Sequence, residues 1–247
     1  MNKMISLLQQ DSGLIGSVEE IDALAKMSDA EVLLISDSHG RKEIVRTIIE
    51  RFGKNCAAII FCGDGIGDFC AALSYTQKSK KFAQNFPPVA ALVRGNGDCD
   101  FFPVDFNPNP HSASDASSKK NALRYEYEIK IPQTQILKIA GMNIFITHGH
   151  ADGAYYGLNR LAQRAADSLA DIVFYGHTHV PSRSEIDLTY FINPGSCALP
   201  RGTPRIPSFA IVKIPGGQER AEATFFSVRA HISEGFEFLP FAPEPLF

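Results

Sequence analysis

The sequence predicts an α/β fold of layered sheets, and three observations carry the prediction. Short apolar runs without polar alternation recur through the first half of the chain, helical patterns separate them, and each run closes on a loop that carries glycine. Uninterrupted runs suit strands covered on both faces, and their alternation with helices points to a sheet sandwiched between other layers.

Taken in order, Ser17-Val18-Glu19-Glu20 reads as a capping box opening a short helix with Ile21, Leu24 and Ala25 on one face. Residues 1–30 stand as an N-terminal extension ahead of the first strong strand. Val32-Leu33-Leu34-Ile35 is that strand, followed by Asp37 to Gly40 and a helical pattern at Ile44, Val45, Ile48, Ile49 and Phe52. Ala57 to Cys62 is a second buried strand ending in Gly63-Asp64-Gly65, and Val89 to Val93 a third ending in Arg94-Gly95-Asn96-Gly97-Asp98. From Phe101 to Lys120 the chain turns to Pro, Asn, Ser and Asp without periodicity, which predicts a surface insertion. Leu123 to Ile131 alternates, Gln135 to Ile139 follows, and Gly141-Met142 turns the chain into Asn143 to Thr147, so antiparallel pairing is expected here. Leu158 to Leu169 has helical spacing, and Ile172 to Tyr175 is a further buried strand. Phe191-Ile192, Phe209 to Ile214 and Thr224 to Val228 are candidates for later ones. The last stretch, Phe236 to Phe247, is rich in Phe and Pro and suits a cover for the core or for a partner.

At 247 residues the chain is long enough to bury a full core, and one domain is expected over 1–247, with its core at about 31–215, the insertion at 101–120 and a tail at 230–247. A composition of 45% hydrophobic and 21% charged residues with a net charge of -3 is that of a globular protein without the basic footprint of a nucleic-acid binder. The apolar runs fall far short of the roughly 20 residues that span a bilayer. Gln9-Gln10-Asp11 also cuts the N-terminal apolar stretch below the roughly 7–15 residues of a secretion signal, so a cytoplasmic location is expected. The five cysteines show no C-x-x-C spacing and read as reduced, mostly buried thiols.

The chemistry must therefore lie in the loops. Five strands end beside metal-competent side chains: Asp37-Ser38-His39, Gly63-Asp64, Gly95-Asn96, His148-Gly149-His150 and Gly176-His177-Thr178-His179. Strand ends at one sheet edge converge, and open α/β sheets place ligands there. Of the seven histidines, five lie in these loops, and only His111 and His231 lie outside them, without an assigned role. Mixed carboxylate, imidazole and amide donors suit Mn, Fe, Co, Ni or Zn in sites with room for water. Asp37, His39, Asp64, Asn96, His148, His177 and His179 exceed what one ion with an open position takes. A metal pair sharing a bridging carboxylate uses them all and clamps the oxygens of a phosphoryl displacement, which makes a phosphate ester the natural substrate.

In this order and spacing the motifs D-x-H, G-D, G-N-x-D, H-G-H and G-H-T-H resemble the calcineurin-like metallophosphoesterase family, and more narrowly its small YfcE-type phosphodiesterases, over roughly residues 31–215. The resemblance implies a four-layer sandwich of two mixed β-sheets flanked by helices. It implies that Asp37, His39 and His179 hold one divalent ion and Asn96, His148 and His177 the other, with Asp64 bridging them and a hydroxide between the ions as nucleophile. Mn is the first expectation for both ions, with Fe, Ni, Zn and Co also accommodated.

One position departs from the wider family, where the residue after the metal-binding Asn is a histidine that contacts the phosphate; here it is Gly97. The YfcE-type subgroup usually has cysteine there, so activity is still expected, with a preference for diesters or activated leaving groups. His150 is the nearest candidate for touching the phosphate, with support of its loop as the alternative. Asp98 is a candidate for orienting a ligand histidine, with a helix N-cap as the alternative. Arg41 and Arg94 lie near the motifs, and Asn193-Pro194-Gly195-Ser196 reads as scaffold of the site. The competing expectation is a protein-binding scaffold on the same fold, of the Vps29 type found in retromer, and a nuclease of the same family lacks a basic groove. The expected partner is a small phosphate ester, with no nucleic acid and no membrane, and the phenylalanines of the tail leave room for a homo-oligomer.

Overall fold

Strand and helix follow one another where apolar runs alternate with amphipathic ones. A computed structural model describes residues 7–105, 126–216, 220–231 and 235–244. In chain order they form α1 (Val18–Ala25), β1 (Asp29–Ile35), α2 (Lys42–Phe52), β2 (Ala58–Phe61), α3 (Ile66–Lys78), α4 (Lys80–Asn85) and β3 (Val89–Leu92). Then come β4 (Phe101–Asp105), β5 (Glu126–Lys130), β6 (Thr134–Ile139), β7 (Met142–Thr147), α5 (Asn159–Asp167) and β8 (Ile172–Phe174). Five further strands close the order: β9 (Pro181–Ile186), β10 (Thr189–Pro194), β11 (Ser208–Pro215), β12 (Glu222–His231) and β13 (Gly235–Phe241).

Two mixed sheets face each other. One runs β13-β12-β11-β1-β2-β3, with β1, β2 and β3 parallel and the remaining pairs antiparallel. The other runs β6-β7-β8-β10-β9, parallel at its centre and antiparallel at both edges. Strands bury both faces in turn. Val32, Leu34, Ala58 and Ile60 point between the sheets against Ile144, Ile146, Ile172 and Phe174. Leu33, Ile35, Ile59 and Phe61 point outward against Val45, Ile48 and Ile49 of α2 and Phe69 and Leu73 of α3. On the far side Leu161 and Ala165 of α5 cover Phe145, Val173 and Phe191. The result is the four-layer α/β sandwich, helix, sheet, sheet, helix, and two-sided burial explains why the central strands read as continuous apolar runs.

Ser17 caps α1 as its sequence predicts, its hydroxyl oxygen accepting from the Glu20 N–H at 3.2 Å. Two expectations are corrected. Phe101–Asp105 is not irregular insertion but a strand paired with β5, its Val104 buried and its Phe102 set against α3 at Gly67; residues 106–125, including the rest of the insertion and His111, lie outside the described residues. The N-terminal segment is not peripheral throughout, because Leu7 and Ile15 are buried and Ile15 bridges Ala90 at the edge of β3. The antiparallel pairing expected around the Gly141 turn is present between β6 and β7, and β8 then joins in parallel with both β7 and β10. The tail turns out to be an edge strand, with Phe236 and Phe238 packed on the core. Among the described residues no helix is long and apolar enough to cross a membrane.

Candidate metal centre

Each motif sits where a strand runs out. Asp37 and His39 follow β1, Asp64 follows β2, Asn96 follows β3, His148 and His150 follow β7, and His177 and His179 follow β8. Three of these strands belong to one sheet and two to the other, so both sheets, rather than a single edge, supply the site.

Backbone strain marks the cluster. Asp37 (φ 53°), His39 (43°), Asp64 (53°), His177 (66°) and His179 (60°) all adopt the left-handed region. That conformation costs a non-glycine residue roughly 1–2 kcal/mol, and it persists where the surroundings over-determine it. The clamps are visible. Asp37 Oδ2 accepts from the Ser36 hydroxyl at 2.5 Å and from the His177 N–H at 3.1 Å, while its carbonyl accepts from Ser196 Oγ at 2.6 Å. Asp68 Oδ2 accepts from Ser38 Oγ at 2.6 Å and from the Gly40 N–H at 2.8 Å. Asp98 accepts four backbone N–H groups, those of Asp64 (2.6 Å), Gly65 (3.1 Å), Ile66 (3.0 Å) and Gly95 (2.9 Å). It thus caps α3 from another loop and fixes Asp64; its bonds run to amides, not to a histidine. Gly95 must lack a side chain, because a Cβ there would fall 2.5 Å from the Asp64 backbone nitrogen.

The histidines are oriented from behind. His148 Nδ1 lies 2.6 Å from the Cys62 carbonyl and His179 Nδ1 lies 2.6 Å from the Leu199 carbonyl. A carbonyl can only accept, so each Nδ1 carries a proton and each Nε2 faces the site, the orientation of metal-ligating histidines. Asp37 Oδ1 and His148 Nε2 are buried without a hydrogen-bond partner, 4.0 Å apart. His179 Nε2 approaches Asp37 Oδ1 to 3.1 Å, yet off the hydrogen-bond direction, and meets His39 Nε2 at 3.2 Å. Asp64 Oδ1 is held by the Gly97 N–H at 2.8 Å, which leaves Oδ2 3.9 Å from His39 Nε2 and 3.6 Å from His148 Nε2. His39 Nε2 and His179 Nε2 are hydrogen-bonded to each other, and since two donors bound to one cation at about 2.1 Å each stand roughly 3–4 Å apart, these atoms also have the spacing of ligands that share an ion. Ligand atoms of Asp37, His39, Asp64 and His179 all fall within 4.8 Å of one another, and the residues present fit a divalent metal.

Without a cation, the carboxylates and imidazoles of the cluster shift one another. Burial alone would raise the pKa of Asp64, but His148, the Gly97 N–H and His39 outweigh it and hold the carboxyl below its ordinary range. Burial disfavours the His148 imidazolium, and the carboxylates of Asp64 and Asp37 more than offset this. Burial and the neighbouring His148 charge lower both His150 and His177, which keeps their lone pairs available.

His177 joins through His148, with ring centroids 5.2 Å apart, and His150 borders both at 5.3 and 6.1 Å, its Nδ1 buried and unpartnered. Asn96 stands apart: it is exposed in the turn after β3, and among the described residues its side chain makes no hydrogen bond. Arg94 is engaged with Asp100 in an ion pair at 2.5 Å, Arg41 is exposed at the head of α2, and His231 pairs with Glu237 on the surface. Asn193 braces the His177 loop through the Gly176 carbonyl and Thr178. Burial pushes the Cys56 and Cys70 thiols up to about 12 and Cys62 well above its ordinary value, so these cysteines are not nucleophiles. Sequence reasoning missed Ser36, Asp68 and Asp152. Asp152 is buried, accepts from Thr147 Oγ1 at 3.1 Å and from Arg164 at 2.7 Å, and so ties the His148 loop to α5.

A family model described as the calcineurin-like phosphoesterase superfamily domain matches residues 31–217. The chain is 28% identical over 183 residues to the probable metallophosphoesterase YsnB of Bacillus subtilis, covering 74% of this chain and 83% of that protein. It is 26% identical over 175 residues to the phosphodiesterase YfcE of Escherichia coli, covering 70% and 82%. Among solved structures, Vps29 of Chaetomium thermophilum shares the fold with a TM-score of 0.56 at 15% identity, over 85% of this chain and 95% of that one.

Proposed function

The chain belongs to the calcineurin-like phosphoesterase superfamily, and from that premise we propose that it is a phosphodiesterase working with two divalent ions. The observation that carries the reading is the pair of buried, unpartnered atoms Asp37 Oδ1 and His148 Nε2, which face each other across 4.0 Å. Left so, they would each forfeit solvation without recompense, a cost of roughly 1–3 kcal/mol per group. In this reading Asp37, His39 and His179 would hold one ion and Asn96, His148 and His177 the other, with Asp64 shared by both.

When bound, divalent cations draw in phosphoryl oxygens, stabilise the charge of the displacement and acidify water at neutral pH. This chain's residues do the rest. Ser36 and the His177 N–H fix one oxygen of Asp37 and leave the other to the site. Neutral His150 meets a non-bridging oxygen of the phosphate from the rim. Gly97 brings no imidazole to the leaving group, which favours esters whose alcohol departs without a strong acid. The reading takes Mn as the working metal, with Fe, Ni, Zn or Co able to replace it, a small phosphate ester as substrate and no nucleic-acid partner. It places one catalytic unit of residues 1–247 in the cytoplasm and leaves a homo-oligomer open.

A second reading, a protein-binding scaffold, draws on Gly97 and on the likeness to Vps29. One experiment separates them: hydrolysis of bis-p-nitrophenyl phosphate and p-nitrophenyl phosphate with and without Mn, beside Asp64→Ala and the milder His39→Gln. Metal-dependent diester cleavage, lost in Asp64→Ala and reduced at least a hundredfold in His39→Gln, supports the enzyme. Silence of the folded wild type with every metal and both esters moves the assignment to the scaffold.

A further inference from the structure

The candidate ligands are not all steered alike. His148 and His179 are aimed through their own rings, each Nδ1 held by a backbone carbonyl at 2.6 Å. His39 lacks such a hold: among the described residues the one hydrogen bond of its ring runs to His179 across the site. Its side chain is also 30% exposed, where those of Asp37, Asp64, His148 and His179 are at most 5% exposed. The direction of His39 therefore depends on the backbone to either side of it. One atom grips both neighbours, for Asp68 Oδ2 accepts from Ser38 Oγ at 2.6 Å and from the Gly40 N–H at 2.8 Å. The His39 N–H itself donates to the Asp64 carbonyl at 3.1 Å. Asp68 is 6% exposed and sits in the first turn of α3, the helix that starts two residues after Asp64. A Cβ on Gly65 would fall 2.0 Å from Ser38 Oγ, so the entry to α3 is pressed against the His39 loop and Asp68 reaches that loop without a spacer.

We propose that Asp68 is a positioning residue of the metal centre: by tying Ser38 to Gly40 it keeps His39 in its left-handed conformation, φ 43°, with Nε2 presented to the ion shared with Asp37 and His179. The inference rests on the reading of His39 as a metal ligand and gives a role to an acid outside the ligand set. A positive φ is unfavourable for histidine, so the loop relaxes when its anchor is removed. Groups that orient a ligand are typically worth about 10–100-fold in metal affinity. What the contact needs is an acceptor with two lone pairs, and the amide oxygen of asparagine supplies one. Asp68→Asn therefore keeps the loop, and Asp68→Ala releases it.

The test is titration of the protein with Co(II), read by calorimetry and by the visible absorption of the bound ion, for wild type, Asp68→Ala, Asp68→Asn and His39→Gln. That absorption reports the number and geometry of the ligands. Asp68→Ala is expected to lose at least tenfold in Co(II) affinity, with its absorption moved toward that of His39→Gln, while Asp68→Asn keeps the wild-type absorption and an affinity within about threefold. Far-ultraviolet dichroism before metal addition checks that each variant is folded. Should Asp68→Ala fail to fold, Ser38→Ala removes one of the two bonds and is expected to shift affinity and absorption the same way by less. Wild-type affinity in the folded variant that lacks the bonds overturns the role. So does a weakened variant that keeps the wild-type absorption, because His39 would still be in place, and so does an equal loss in Asp68→Asn and Asp68→Ala, because charge would then be the cause. A folded wild type that binds no Co(II) removes the metal centre itself, an outcome distinct from all of these.

Discussion

At the residue scale the site depends on groups that only accept and groups that must be absent. Asp98 gathers four N–H donors that the turn of α3 and Gly95 would otherwise leave unsatisfied. Charge-assisted bonds of this kind are each worth about 1.5–3 kcal/mol, although shared donors do not add fully. Asp98→Ala is expected to lower stability by about 3 kcal/mol in urea titration and to weaken metal binding at least tenfold, with Asp98→Asn intermediate. Wild-type metal affinity in Asp98→Ala would show that the clamp does not position Asp64. Gly95→Ala puts a methyl onto the Asp64 backbone and carboxylate, so it is expected to abolish metal-dependent hydrolysis while far-ultraviolet dichroism stays native. Full activity in that variant would mean the two loops are not pressed together. The candidate ligands were legible because aspartate and histidine stand beside glycine at strand ends, a local signal. Asp68, Asp152 and Ser36 were not, because an acid on a helix or a lone serine carries no mark of the loop it will meet across the fold.

At the element scale, legibility followed burial. The strands covered on both faces, β1, β2, β3 and β8, read directly as apolar runs, and α2 and α5 as amphipathic repeats. The edge strands did not: β9 carries Arg183 and Glu185 outward, β4 begins with exposed Phe101, and β13 contains Pro240, which a central strand would exclude but an edge tolerates. What holds β13 is aromatic packing. Phe238 meets Phe52 and Phe209 at centroid distances of 5.5 and 5.6 Å, and Arg51 lies 5.7 Å above its ring. Phe238 is half-buried, so Phe238→Ala is expected to cost about 2 kcal/mol, below the roughly 3–5 of a fully buried phenylalanine. Its partner Phe52 ends α2, whose first turn adjoins the Asp37 loop about 15 Å away along the helix axis. The kcat should therefore stay within twofold. A stability change under 0.5 kcal/mol would mean that β13 adds cover without holding the sheet, and a large fall in kcat would couple the tail to the site.

At the scale of the whole molecule, two sheets bring five loops to one end, and the loops arrive strained, with five candidate ligands in left-handed backbone and buried lone pairs aimed at one another. The core beneath them holds that arrangement in place, but nothing within the cluster neutralises the facing carboxylates of Asp37 and Asp64 except the histidines between them. A cation bound there stabilises the folded state alone, because the unfolded chain disperses the seven donors over more than 140 positions. At a hundredfold excess over the dissociation constant the gain is about 2.7 kcal/mol per ion, and a chain of this length shifts by roughly 2–4 °C per kcal/mol. Chelation of both ions is thus expected to lower Tm by about 10–20 °C, reversibly on return of Mn, and Asp64→Asn should make Tm indifferent to the metal. This readout needs no substrate, so it tests the centre apart from the reaction. A wild-type Tm that no divalent ion moves would show that the converging lone pairs do not form a metal site, and the strained loops would then need another cause.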